Sequence, residues 1–169
     1  TRLEWATDSA FRFFPLVADE ILGFRLHDAD SATNKVLAAI GRVKVRDIID
    51  PLHLDRTYLP LAVAIWAACG KDEGFTPEMI IQELRRRNRF NDVSMEDIHS
   101  DAPLDPATVK KEWTACLERA ERLFSSFPKE TVGALFLDKA DAPARGEKYE
   151  SSWAPHYGSV KGAWPKIGE

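Results

Sequence analysis

The fold of this chain is set by residues 33–50, which read Thr33-Asn34-Lys35-Val36-Leu37-Ala38-Ala39-Ile40-Gly41-Arg42-Val43-Lys44-Val45-Arg46-Asp47-Ile48-Ile49-Asp50. Gly41 suits the left-handed residue that commonly ends a helix. We therefore predict a helical hairpin. Its first helix is capped by Asp28 or Asp30 and ends at Gly41. Its second helix contains Arg46 to Asp50 and is kinked or stopped by Pro51.

This hairpin is expected to place Lys35 and Asp50 at the same distance from the connecting turn, with Asp47 on the same helix face as Asp50. Lys35 lies six residues before Gly41, and Asp50 lies six residues after Lys44. At about 1.5 Å rise per residue, both are roughly 9 Å from the connecting turn. We expect Lys35 within about 4–8 Å of Asp47 or Asp50. Two interpretations stay open: a solvated ion pair that closes the hairpin, or a cation and carboxylate that serve a phosphate group.

Three further helices are predicted downstream. Residues Leu59 to Ala68 are apolar nearly all round, which is typical of a central helix, and Gly70 is expected to close it. Thr76-Pro77 predicts a helix start, with the helix continuing to about Arg89. Asp105-Pro106 predicts the start of the longest helix. Its buried stripe is predicted to contain Val109, Trp113, Cys116, Leu117, Ala120, Leu123, Phe124 and Phe127.

Extended segments are predicted mainly before the hairpin, at Arg2–Asp8, Phe11–Pro15 and Gly23–His27, with one more at Thr131–Asp138, for which a short helix is the alternative. Two or three strands cannot bury two faces, so we expect the early ones to complete a sheet formed elsewhere. The predicted fold is mostly α (α+β), a bundle of about five helices. Residues 1–27 form the strands, residues 28–138 the helical domain, and residues 139–169 an irregular tail. Aromatic residues are expected to pack this tail on the domain: Trp153, Tyr157 and Trp164.

Composition excludes several classes of protein. With 169 residues, 44% of them hydrophobic and 30% charged, the chain is typical of one globular domain. A net charge of -4 gives no overall attraction for nucleic acid. The longest apolar run, Leu59 to Cys69, is too short to cross a bilayer, and no targeting sequence precedes it. Cys69 and Cys116 lie in apolar helical patterns, which favours buried thiols and a cytoplasmic location. The four scattered histidines do not form a zinc pattern.

Several segments spread over most of the chain carry a resemblance to a known family. They are Asp8-Ser9-Ala10-Phe11-Arg12-Phe13-Phe14-Pro15, Thr33-Asn34-Lys35-Val36-Leu37-Ala38, Arg42, Arg46-Asp47-x-x-Asp50, Ala67-Ala68-Cys69-Gly70-Lys71-Asp72-x-Gly74-Phe75-Thr76-Pro77 and His156-Tyr157-Gly158-Ser159-Val160-x-Gly162-Ala163-Trp164-Pro165. Together they resemble the AbiEii-type nucleotidyltransferase family. The lysine followed by Arg-Asp-x-x-Asp is the most specific part of the resemblance.

The resemblance implies an enzyme of the nucleotidyltransferase-β superfamily. Such enzymes move a nucleotide from an NTP to an acceptor with magnesium, and they include toxin halves of bacterial toxin–antitoxin systems, several of which modify tRNA ends. The implied partners are therefore an NTP, tRNA or another RNA, and a cognate antitoxin. By carry-over Lys35 would contact the triphosphate, with Arg42 and Arg46 as further nucleotide-binding residues. Asp50 or Asp47 would support the lysine or the reacting hydroxyl.

The metal-binding carboxylates depart from the family pattern. The resemblance implies that Glu4 or Asp8 supplies the single acidic strand residue of the metal site. The family's Gly-Gly or Gly-Ser turn, followed by an Asp-x-Asp strand, is not present, and Asp28-x-Asp30 leads into a helix instead. We therefore interpret the chain as the C-terminal part of such an enzyme, without its catalytic strand pair. The alternative is a non-catalytic helical scaffold, or a domain that binds a partner or RNA.

Four arginines end the fourth predicted helix, at Arg85, Arg86, Arg87 and Arg89. They can grip an RNA backbone, because phosphate contacts supply most of the affinity in nucleic-acid binding. They can also offset the helix dipole and solvate one helix face. Both interpretations stay open from the sequence.

Overall fold

The structure is a computed structural model that describes residues 9–41, 46–86 and 105–160. These residues form five α-helices and two small antiparallel sheets, so the prediction of a mostly α fold with a few strands is confirmed. The elements are β1 (Val17–Asp19), β2 (Gly23–Arg25), α1 (Asp28–Gly41), α2 (Arg46–Thr57), α3 (Leu61–Lys71), α4 (Pro77–Arg86), α5 (Pro106–Phe124), β3 (Leu135–Leu137) and β4 (Ala154–His156).

Helices α1 and α2 form the predicted hairpin, but two details of α1 differ. The residue before the helix, His27, caps it: its Nδ1 atom accepts the N–H of Ala29 at 3.2 Å. Asp30 is therefore not a cap but a buried residue of the first turn. Gly41 is the last helical residue, yet among the described glycines only Gly23 and Gly133 have positive φ. The left-handed ending predicted for Gly41 is wrong.

Pro51 was predicted either to end or to kink the second helix. It does not end the helix, because α2 continues through Pro51 to Thr57. Proline removes one N–H donor and costs about 3 kcal/mol inside a helix. Ile48, Pro51 and Leu52 are all buried. Burying each large apolar side chain stabilises the fold by roughly 1.5–3 kcal/mol, which offsets the proline.

Helix α3 is the centre of the bundle, as its all-round apolar sequence predicts. Nine consecutive residues, Leu61 to Cys69, are buried, and α3 packs against all four other helices and β3. Gly70 does not close the helix, which ends at Lys71. A Cβ atom on Gly70 would lie 2.4 Å from the carbonyl oxygen of Gly133. The glycine is therefore needed for close packing between two backbones rather than for termination.

The starts of α4 and α5 are confirmed. The Thr76 Oγ1 atom accepts the N–H of Met79 at 3.2 Å, and α4 begins at Pro77. Asp105 caps α5 by accepting the N–H of Thr108 at 2.8 Å. The predicted buried stripe of α5 is buried throughout, and Phe127 is buried just beyond the helix end. The predicted end of α4 at Arg89 lies outside the described residues.

The described strands form two antiparallel pairs. β1 pairs with β2, with Val17 opposite Arg25, and β3 pairs with β4, with Leu135 opposite His156. β1 was not predicted, and the segments predicted at Gly23–His27 and Thr131–Asp138 shorten to β2 and β3. Residues 129–131 form a 3₁₀ turn instead. The predicted strand at Arg2–Asp8 lies outside the described residues.

A buried ion pair anchors the segment before β1 to the helices. The Asp30 and Lys71 side chains are 0% and 3% exposed, with Lys71 Nζ 3.0 Å from Asp30 Oδ1. The same carboxylate accepts the backbone N–H groups of Phe13 at 3.0 Å and Phe14 at 3.1 Å. Lys71 Nζ also donates to the Asp30 carbonyl and to Asn34 Oδ1. Three acceptors thus satisfy the three donors of the ammonium group.

The predicted irregular tail contains β4 and packs on the helices over part of its length. Trp153 is buried and its ring lies 6.1 Å from that of Phe136, whereas Tyr157 is exposed. Trp164 lies outside the described residues. Arg12 and Ser159 exchange two backbone hydrogen bonds, of 3.1 and 2.9 Å. This isolated bridge is what the structure shows of the extended segment predicted at Phe11–Pro15.

One phenylalanine contacts two histidines, one near each end of the described chain. The Phe14 ring stacks on His156 with centroids 4.7 Å apart and an interplanar angle of 14°. The His27 ring also contacts it, with centroids 4.2 Å apart and the planes tilted by 33°. His156 Nε2 also lies 2.7 Å from the Phe13 carbonyl oxygen. The segment around Phe14 is thus held by α1, α3 and β4 together.

Candidate functional site

Lys35 and Asp50 meet across the α1–α2 hairpin. The Lys35 Nζ atom lies 2.6 Å from Asp50 Oδ2, which is closer than the separation of about 4–8 Å that we expected. Their side chains are 44% and 38% exposed. The pair is therefore accessible from solvent while remaining fixed to two packed helices.

Asp47 differs from Asp50 although both lie on α2. Asp47 is buried, 1% exposed, whereas Asp50 is half-buried and is the carboxylate paired with Lys35. Burial of Asp47 fits a residue that holds the hairpin together. Asp50 is therefore the better candidate for the aspartate that supports the lysine.

Several predicted site residues fall outside the residues that the structure describes. These are Glu4, Asp8, Arg42, Arg87 and Arg89, together with the side chain of Arg46. Their expected roles in holding metal, nucleotide or nucleic acid stay predictions. Within the described ranges, no three His, Cys, Asp or Glu side chains converge on a point where a metal ion could bind.

Two of the predicted RNA-binding arginines are engaged with carboxylates. Arg85 Nη2 lies 2.6 Å from Glu121 on α5, and Arg86 Nη2 lies 2.7 Å from Glu83 one turn earlier. Both arginines are exposed and lie in the last turn of α4. Ion pairing and position at the helix end fit the interpretation in which these cations offset the dipole.

The sequence did not single out a second cluster of charges, formed by Asp55, Arg119, Arg122, Arg145 and Glu147 around one cavity. The cluster combines α2, α5 and a loop after β3, so no local motif reveals it. The one available signal was the i,i+3 spacing of Arg119 and Arg122 on the polar face of α5.

The two cysteines are buried and are not paired with each other. Burial raises the pKa of Cys69 from an ordinary value of 9.0 to about 12. Burial also raises the pKa of Cys116, and the nearby negative charge of Asp55 adds to that increase. Both thiols are therefore protonated at neutral pH, which makes them poor nucleophiles and poor metal ligands.

The raised pKa of Cys69 predicts a loss of stability at high pH. Above about pH 9 the unfolded thiol loses its proton, while the folded thiol keeps it until about pH 12. The unfolded state then binds fewer protons, so the free energy of unfolding falls by up to about 1.4 kcal/mol per pH unit in that window. Urea unfolding at pH 8 and pH 10.5 should show a smaller decrease in Cys69→Ala than in the wild type. Equal decreases would contradict the burial argument.

Comparison of the chain with family models, with curated proteins and with solved structures found no match. The candidate site therefore depends on its own geometry. No helix within residues 9–41, 46–86 and 105–160 has both the length and the apolar character needed to cross a membrane.

Proposed function

We propose that this chain is the C-terminal portion of a magnesium-dependent nucleotidyltransferase, which transfers a nucleotide from an NTP to an acceptor such as tRNA. The observation that carries the proposal is the half-exposed Lys35–Asp50 pair, held at 2.6 Å across a helical hairpin. The resemblance of the lysine and Arg-Asp-x-x-Asp segments to AbiEii-type enzymes supports the same assignment.

The geometry of the pair suits recognition of a phosphate group. An ammonium group has three N–H donors. Among the described residues, the Lys35 ammonium donates a hydrogen bond to Asp50 alone. The remaining donors can reach phosphate oxygens from solvent. Asp50 fixes the position of the ammonium before a ligand arrives, which lowers the entropic cost of binding.

The described residues do not by themselves form a magnesium site, because no three ligating side chains among them converge. A magnesium ion bound with an NTP needs oxygen ligands from carboxylates. The proposal therefore places those carboxylates outside the described residues, with Glu4 and Asp8 as candidates. What the hairpin contributes is the position of the triphosphate.

The test is a transfer assay with the full-length protein, magnesium, each labelled NTP and cellular RNA. We expect label on RNA with the wild type and a loss of roughly 100-fold with Lys35→Ala, the size found when one preorganised charge-stabilising donor is removed. Asp50→Ala should also lower transfer. The matched control is Lys110→Ala, since Lys110 is an exposed lysine on α5. Transfer that is equal in Lys35→Ala and the wild type would overturn the assignment.

A partner-binding scaffold is the second candidate. The turn between β1 and β2 and the adjoining strand β2 expose three large apolar side chains: Ile21 is 92% exposed, Leu22 72% and Phe24 53%. Contiguous exposed apolar residues often mark protein interfaces. If no NTP is transferred to any acceptor, the scaffold becomes the better explanation, and the implied antitoxin is its first partner to test.

A further inference from the structure

A cavity of about 420 Å³ lies where the end of α2, the start of α3, the C-terminal part of α5 and residues 145–147 meet. Three arginines and two carboxylates line it: Arg119, Arg122, Arg145, Asp55 and Glu147. One positive charge is therefore in excess. The volume falls within the usual range of small-molecule sites.

The negative charge of Asp55 is already engaged by protein groups. Its Oδ1 atom accepts the N–H of Leu61, the first residue of α3, at 2.8 Å. Its Oδ2 atom accepts from Arg119 Nη2 at 2.9 Å. Asp55 thus caps α3 from the end of α2 and orients Arg119. Such a carboxylate repels an incoming anion less than an unpaired one.

Arg145 is held by backbone groups instead of a carboxylate. Its Nη1 and Nη2 atoms donate to the carbonyl oxygens of Thr57 and Arg56, both at 2.9 Å. These carbonyls belong to the last turn of α2, where the helix dipole attracts a cation. The guanidinium is therefore fixed in place, with further N–H donors on its outer edge.

Arg122, the third arginine of the cavity, forms no hydrogen bond or ion pair with any of the described residues. It lies three residues after Arg119 on α5, so both side chains leave the helix on one face. Its side chain is exposed at the cavity. The apolar lining is formed by Pro60, Ala62, Ala120 and Leu123.

We propose that this cavity binds a small organic phosphate, with the phosphate on Arg122 and Arg119 and an aromatic or aliphatic body on the apolar lining. A guanidinium group can donate two parallel hydrogen bonds to the oxygens of one phosphate, which strengthens binding and fixes the orientation of the phosphate. The site is separate from the Lys35–Asp50 pair. Asp50 and Asp55 are five residues apart on α2, so they point about 140° away from each other around the helix.

Titration of the full chain with phenyl phosphate tests the site, with arginine side-chain N–H signals followed by NMR. We expect saturable shifts of the Arg122 and Arg119 signals, and weaker binding of inorganic phosphate, which has no apolar body. Arg122→Gln should weaken phenyl phosphate at least about tenfold. Glu147→Gln should strengthen it, because the opposing carboxylate is removed. Both positions are exposed, so the variants are expected to fold.

The matched control is Arg86→Gln, which removes an exposed arginine paired with Glu83 and far from this lining. It should leave the affinity for phenyl phosphate unchanged. Any of three results would overturn the proposal: no saturable shift in the wild type, equal affinities for phenyl and inorganic phosphate, or equal affinities in Arg122→Gln and the wild type.

Discussion

Replacing Asp30 by asparagine should lower the free energy of unfolding by about 3–5 kcal/mol, the usual cost of leaving a buried charge without its partner. The change keeps the shape of the side chain. It leaves the ammonium of Lys71, which is 3% exposed, without a counterion. It also weakens the acceptor that holds the backbone N–H groups of Phe13 and Phe14.

Urea unfolding and amide hydrogen exchange together measure this effect. The control is Asp28→Asn, two residues earlier on α1, where an exposed carboxylate pairs with Arg25. Surface pairs contribute roughly 0–1 kcal/mol, so this variant should be nearly unchanged. Combining Asp30→Asn with Lys71→Met should recover part of the loss, because both charges are then absent. A loss from Asp30→Asn as small as that of the control would contradict the ion-pair argument.

Gly70→Ala is the second change with a large expected effect. Alanine normally stabilises a helix by about 1 kcal/mol relative to glycine. In α3 the new Cβ atom would lie 2.4 Å from the carbonyl oxygen of Gly133 and 3.1 Å from its Cα atom. Gly133 cannot easily yield, because its N–H donates to the Trp66 carbonyl at 3.0 Å and its φ is 91°. We expect a loss of about 3 kcal/mol, the upper end of overpacking costs.

Gly41→Ala is the matched control for this prediction. Gly41 also lies in the last turn of a helix, but apart from its chain neighbours and its own helix backbone, no atom of the described residues lies within 4 Å of the position its Cβ would take. Its alanine variant should be as stable as the wild type or more stable. Thermal unfolding of both variants measures the difference. A stabilised Gly70→Ala protein would show that the contact between α3 and Gly133 relaxes at little cost.

Sequence patterns predict the helices well, because helix starts and buried stripes depend on residues that are close together in the sequence. In Thr76-Pro77 and in Asp105-Pro106, the first side chain accepts a backbone N–H of the first helical turn and proline follows it. Both pairs begin helices as expected. The stripe from Val109 to Phe124 needs only the 3.6-residue period. These features do not depend on what the helix packs against.

The misses are residues whose role depends on contacts distant in sequence. Gly70 was interpreted as a helix terminator, but it is required by a backbone 63 positions away, at Gly133, whereas α1 does end at Gly41 as predicted. Pro51 is tolerated because its helix buries it. Asp30 was one of two residues, with Asp28, interpreted as a possible cap, and its partner Lys71 lies on another helix. No local pattern contains such information.

The same distinction applies to the candidate site. Counting residues on either side of one turn predicts that Lys35 and Asp50 face each other, and they do, although their 2.6 Å separation is shorter than the expected range of about 4–8 Å. The choice between Asp47 and Asp50 needed burial, which the sequence did not give. The cavity arginines come from α5 and from a loop after β3, so only the folded chain brings them together.

The pairing of Arg12 with Ser159 has a consequence for the order of folding. In an otherwise unfolded chain, closing a loop of about 150 residues costs on the order of 4 kcal/mol of entropy. Two backbone hydrogen bonds contribute only about 1 kcal/mol each. This pairing therefore cannot nucleate the fold, and it becomes favourable only after the helices have brought both segments near. The contacts of Phe14 with Asp30, His27 and His156 also join the two ends of the described chain, so we expect them to form after the helices have packed.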